Sequence, residues 1–113
     1  VTTTTVRLGD IATARSGDKG TGANIGIIAR DAATYNYLKQ YLSAERVAEF
    51  MKPLAPGAVQ RFELPNLHAF NFLLPEVLAG GGSKSLRIDA QGKTLGQVLL
   101  EMPVEIPEDL TGN

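Results

Sequence analysis

Apolar positions recur along this chain with two different periods, and those periods divide it into elements. Tyr35, Leu38, Tyr41 and Leu42 fall on one face of a helix that Asp31 can cap. Val47, Phe50, Met51 and Leu54 follow at i, i+3, i+4 and i+7, a stripe that predicts a second helix. Ser43 is its expected cap, Glu45 sits near the positive end of its dipole, and Pro53 and Pro56-Gly57 end it. A period of two appears elsewhere. Ala58, Gln60, Phe62 and Leu64 share one strand face, mainly apolar, while Val59, Arg61 and Glu63 share the other. Ala23 to Arg30 is a short apolar, β-branched run between Gly22 and Asp31. That is the signal of a buried strand, and it is predicted as the most central one. Gly26 inside it suggests that something packs closely there.

The remaining segments are read from turn and breaker residues. Thr4 to Leu8 suits an edge strand. Arg15 to Gly22 is predicted as a loop, because Gly17, Gly20 and Gly22 oppose both helix and strand. Pro65-Asn66 closes the strand before it, and residues 68–78 fit either a helix or a strand. Gly80-Gly81-Gly82 reads as a second loop, Ser85 to Asp89 as a short strand and Gln91-Gly92 as a turn. Leu95, Val98, Leu99 and Met102 predict a last helix over Lys93–Glu101, with a hairpin strand as the alternative. Residues 1–102 then form one domain, and residues 103–113, acidic and proline-containing, a polar C-terminal tail, extended at first. Strands and helices interleave, which predicts an α+β fold: a small, mainly antiparallel sheet with helices packed on one face. Ferredoxin-like topology is the commonest arrangement of that sort.

Composition narrows the chemistry. A chain of 113 residues suits one domain, and its net charge of −1 argues against nucleic-acid binding. No apolar run approaches the roughly 20 residues of a membrane span. The chain has no cysteine, so it offers no disulfide, thiolate metal site or cysteine nucleophile, which fits a reducing compartment such as the cytoplasm. A single histidine supplies too few ligands for a metal, and no cofactor is expected.

Three stretches carry candidate binding groups. In Arg15-Ser16-Gly17-Asp18-Lys19-Gly20 the glycines can turn backbone N–H groups inward, and Arg15 and Lys19 add positive charge for a phosphate or carboxylate. The spacing is not that of a P-loop, and a plain surface turn explains the same residues. In Asn66-Leu67-His68-Ala69-Phe70-Asn71, His68 is the only ordinary acid–base candidate, and Asn66 and Asn71 can orient a carbonyl. A histidine packed in an apolar stretch is the bland alternative. Gly81, Gly82 and Lys84, in the second glycine-rich stretch, form either an anion cradle or a flexible connection.

Several of these motifs occur together in a known family. Asp10-Ile11-Ala12-Thr13-Ala14-Arg15-Ser16-Gly17-Asp18-Lys19-Gly20 and Ala23-Asn24-Ile25-Gly26 resemble the opening of the small C-terminal domain of the AtuA (acyclic terpene utilisation) family. Leu64 to Phe72, Gly80-Gly81-Gly82, Ser85 to Asp89 and Gly92-Lys93 continue the resemblance in the same order. The sequence departs at Gly20-Thr21-Gly22, where an acidic or more polar residue is expected. The resemblance implies a ferredoxin-like fold, a bacterial setting and a link to catabolism of acyclic terpenes or branched acyl-CoA compounds. It adds Asn24 to the positions of interest and implies no catalytic residue. Short free-standing chains of this kind look like partners of a large AtuA-like subunit. Three readings follow: a non-catalytic small subunit or binding module, a small hydratase- or lyase-type enzyme on an acyl-CoA or carboxylate using the Arg15–Gly20 loop and His68, or a self-associating structural module.

Overall fold

The computed structural model describes residues 2–19, 22–54, 56–76 and 94–110, with only the backbone of Asp18 and Lys19. The described strands are β1 (Thr3–Arg7), β2 (Ala12–Lys19), β3 (Gly22–Ala29), β4 (Gln60–Leu64), β5 (Ala69–Leu74) and β6 (Pro103–Pro107). The helices are α1 (Ala32–Tyr41), α2 (Ala44–Phe50) and α3 (Leu95–Leu99). Each helix starts where a side chain takes up an otherwise unpaired amide. Asp31 accepts the Thr34 N–H at 2.8 Å, and Ser43 accepts the Arg46 N–H at 3.1 Å. Thr94 and Gln97 cap each other reciprocally, at 3.1 and 2.9 Å.

The main sheet has the order β2-β3-β5-β4, with every neighbouring pair antiparallel. β3 is a central strand. Its alternate residues Ala23, Ile25, Ile27 and Ala29 are buried together with Phe70, Phe72 and Leu74 of β5. The helices cover this face. Leu38 and Leu42 of the first helical segment, Val47 and Met51 of the second, and Leu99 of α3 join the same core. Tyr35 stacks on Phe70 with ring centroids 4.8 Å apart. α3 lies close on β2, because a Cβ at Gly96 would come within 3.2 Å of the Ala14 Cβ. The fold is therefore α+β, antiparallel sheet against helices.

Four local expectations change. Arg15 to Lys19 is not a loop: β2 pairs with β3 without a break from Ala12↔Ala29 to Lys19↔Gly22. Ladder pairing outweighs the low strand propensity of Gly17, which stands opposite Asn24. Residues 103–107 are not the start of a solvated tail. They form β6, which pairs with β1 from Thr3↔Pro107 to Arg7↔Pro103 and buries Val104 and Ile106 in the core. The ribbon tolerates Pro103 and Pro107 because, among the described strands, β6 has only β1 beside it. Residues 69–74 are a strand, not a helix. Gly26, finally, is not crowded from within: a Cβ there would meet only the Arg15 and Phe70 carbonyl oxygens, at 3.9 and 4.0 Å.

The alternation in β4 is present but inverted. Its charged side looks towards the helices and its apolar side looks away from them. The Arg61 side chain, 19% exposed, explains the inversion. Its guanidinium donates to the carbonyls of Lys39 and Leu42 at the end of α1, both at 3.0 Å. It also lies 5.2 Å from the centre of the Phe70 ring and binds Glu63 at 2.8 Å. The last carbonyls of a helix carry partial negative charge and lack intrahelical donors, so an arginine there satisfies both.

Candidate functional site

Among the described residues, no helix covers the second face of the main sheet, and pairing register fixes what it presents. One row runs Thr13, Ile28, Ala69, Leu64 across β2, β3, β5 and β4. The next runs Arg15, Gly26, Asn71, Phe62. The third runs Gly17, Asn24, Leu73, Gln60. Ile28, Phe62 and Leu64 are 37%, 47% and 40% exposed, and Leu67, in the turn after β4, is 64% exposed. An amphipathic strand normally turns such residues to the core. Here they form an apolar margin on an open surface.

The other half of the face is polar. The Asn24 amide donates to the Asn71 side-chain oxygen at 3.3 Å, across β3 and β5. That bond uses only part of the capacity of either amide. Gly17 makes room for it, since a Cβ there would stand 3.2 Å from Asn24 Oδ1. Arg15 is exposed and is the only charged residue among the described side chains of this face. Beyond the Thr13–Ile28 row the face runs into a shallow groove of about 340 Å³, lined by residues 9–13 and 28–30.

The family model for the AtuA ferredoxin-like domain matches residues 6–105 of this chain. The chain belongs to the AtuA ferredoxin-like domain family. The match runs from β1 to β6 and so spans both sheets and the bare face. Neither a search of curated proteins nor one of solved structures gave a match.

In this AtuA ferredoxin-like domain the positions expected to bind divide into two groups. Arg15, Gly17, Asn24 and Asn71 share the bare face. Ser16 belongs to the opposite face, where its hydroxyl would lie 3.5 Å from a Cβ at Gly96. His68 also serves the helix side. It takes the left-handed conformation at φ 51°, its carbonyl accepts the Ala29 N–H at 2.8 Å, and its ring lies 5.7 Å from that of Tyr35. It stands three residues from Asn71, roughly 10 Å along a strand. Asn66 is exposed in the Pro65–Leu67 turn. Gly20, Gly81, Gly82 and Lys84 lie outside the described residues, as do the side chains of Asp18 and Lys19.

The groups around His68 have structural duties. Asp31 caps α1, and the Thr34 N–H it accepts is the chief cause that holds its carboxyl below the usual range; the charges of Arg30 and His68 add to this. Tyr35 is buried, its hydroxyl has no hydrogen-bond partner among the described residues, and burial raises its pKa. Among the described residues, no group of three His, Cys, Asp or Glu side chains could hold a metal, and no helix is long and apolar enough to cross a membrane. Sequence reasoning passed over Ile28, Phe62, Leu64 and Leu67 as functional residues. The sequence carried no signal for them, because Arg61 and Glu63, on the other side of β4, are the residues a helix-covered side would ordinarily leave to solvent.

Proposed function

We propose that this AtuA ferredoxin-like domain acts as a non-catalytic small subunit or binding module that completes an AtuA-type large subunit. Its setting is the bacterial cytoplasm, in the catabolism of acyclic terpenes or branched acyl-CoA compounds. The observation that carries the docking role is the inverted β4, which spends Phe62 and Leu64 on an open surface. Grouped exposed apolar side chains with polar neighbours are the usual mark of a contact surface. An enzymatic reading built on His68 has less support, because that ring packs against Tyr35 on the helix side whereas Arg15 lies on the opposite face of the sheet.

The test is co-purification with an AtuA-type large subunit. A complex is expected at micromolar concentration. A Phe62→Lys, Leu64→Lys double variant should keep its fold and lose the complex, since both side chains point out of the core. Failure of the wild-type chain to bind at that concentration sinks the proposal.

A further inference from the structure

Gly26 occupies the middle of a central strand, where glycine weakens the ladder and contributes no side chain to packing. The usual reasons for a glycine are missing. Among the described residues the glycine with positive φ is Gly57, and a Cβ at Gly26 would have 3.9 Å of clearance or more. Gly22 shows the contrast: its Cβ would stand 2.7 Å from the Pro75 Cα. No described residue of the chain uses the bare backbone at Gly26. The walls around it are Arg15 and Asn71, one strand away on either side, with Asn24 two residues along β3.

We infer that the partner docked on this face seats a carboxylate side chain, Asp or Glu, on Arg15 beside the Asn24–Asn71 pair and presses its backbone against Gly26. This rests on the docking role proposed above. Charge selects the occupant. Arg15 is the only charge among the described side chains of the face. A second copy packed sheet to sheet would bring another Arg15, and the carboxylate of the adjoining groove, Asp10, is already held by Arg7, leaving two guanidinium groups to be desolvated without a free anion. A partner with one acidic residue in an apolar surround complements both halves of the face. Four strands about 4.8 Å apart and about 20 Å long present roughly 400 Å², about half of what one side of a stable interface needs. The contact therefore extends past the sheet, over Leu67 or into the groove beyond Thr13 and Ile28.

The experiment measures affinity for the AtuA-type large subunit, with unfolding midpoints for each variant. Arg15→Glu should weaken binding at least 30-fold and flatten its salt dependence. Gly26→Val should weaken it at least tenfold, with an unfolding midpoint equal to or above that of wild type. If both variants bind like wild type while the Phe62→Lys, Leu64→Lys variant does not, the inference fails and the docking role stands. If all three bind like wild type, the docking role on this face fails too, and so does the inference. If light scattering shows a dimer of the chain alone that Gly26→Val dissolves, the occupant is a second copy and the inference is overturned. A lowered unfolding midpoint for both Gly26→Val and Gly26→Ala would show that internal packing requires the glycine, and would also overturn it.

Discussion

Arg61 offers the most exacting test of why β4 faces as it does. Replacing it with alanine removes two charge-assisted hydrogen bonds to the Lys39 and Leu42 carbonyls. Bonds of this kind contribute about 1.5–3 kcal/mol each when well shielded. The side chain is 19% exposed, so water partly replaces them, and the pair is taken at about 2 kcal/mol. Loss of the guanidinium from the Phe70 ring, 5.2 Å away, adds about 0.5–1 kcal/mol. The Glu63 pair lies nearer the surface and adds less than about 0.5 kcal/mol. The expected destabilisation is therefore about 3 kcal/mol, which for a domain this size lowers the melting temperature by about 12 °C. Arg61→Lys should recover half of this or less, because Nη1 donates to both carbonyls while Nη2 holds Glu63, and a single ammonium cannot stand in for both nitrogens or for the planar guanidinium at the Phe70 ring. Urea unfolding followed by circular dichroism gives the measurement. A loss under about 0.5 kcal/mol for Arg61→Ala, the range of an ordinary surface substitution, would refute the assignment of Arg61 as the cap of α1.

Three further outcomes are expected. Gly22→Ala should destabilise by about 1–3 kcal/mol, because its Cβ would lie 2.7 Å from Pro75 backbone atoms, whereas Gly26→Ala should be neutral or stabilise by up to about 1 kcal/mol; the two midpoints measured side by side decide. Ile106→Ala should cost about 2–5 kcal/mol, since Ile106 is 1% exposed, and an unchanged midpoint would return residues 103–107 to a solvated tail. The Asp31 carboxyl titrates below 3.8 in the folded chain, so its stabilisation is present above about pH 4 and is lost as pH falls through the folded value. Asp31→Asn should thus flatten the acid side of the stability curve between pH 2 and pH 5, and an acid limb identical to wild type would count against the cap.

Local chemistry made part of this structure readable in advance. Asp31 and Ser43 announce their helices because a cap acts within three residues, and the side chain and amide involved are both visible in the sequence. The β-branched run of β3 and the spacing of Leu95, Val98 and Leu99 were legible for the same reason. What escaped depends on distant residues. β2 continues through Gly17 because β3 is there to pair with it. Val104 and Ile106 alternate with Pro103, Glu105 and Pro107, yet that pattern becomes a strand only through β1, about a hundred positions away along the chain. The bare face followed from neither period nor composition. Alternation shows that β4 has two sides, but the choice between them was made by an arginine reaching the end of a helix some twenty residues earlier. For the candidate site, this means that the pleat separated Arg15 from Ser16, neighbours in sequence, and joined Arg15 to Asn24 and Asn71.

The β1–β6 ribbon also sets an order of events for folding. Its contacts, Thr3↔Pro107 among them, close nearly the whole chain into one loop, and loop closure of that span carries a large entropic penalty before any contact repays it. The β2–β3 and β4–β5 hairpins need only local closure and can form first. The ribbon then acts as a late clasp, fastened by the Leu8 and Gly9 amides on the Met102 and Leu100 carbonyls and by the Tyr37 hydroxyl on the Glu105 carbonyl. In native-state hydrogen exchange, the amides of β1 and β6 should open at lower free energy than those of β3, leaving the hairpins and the bare face in place. Equal protection across both sheets would instead show that the ends and the centre open as one unit.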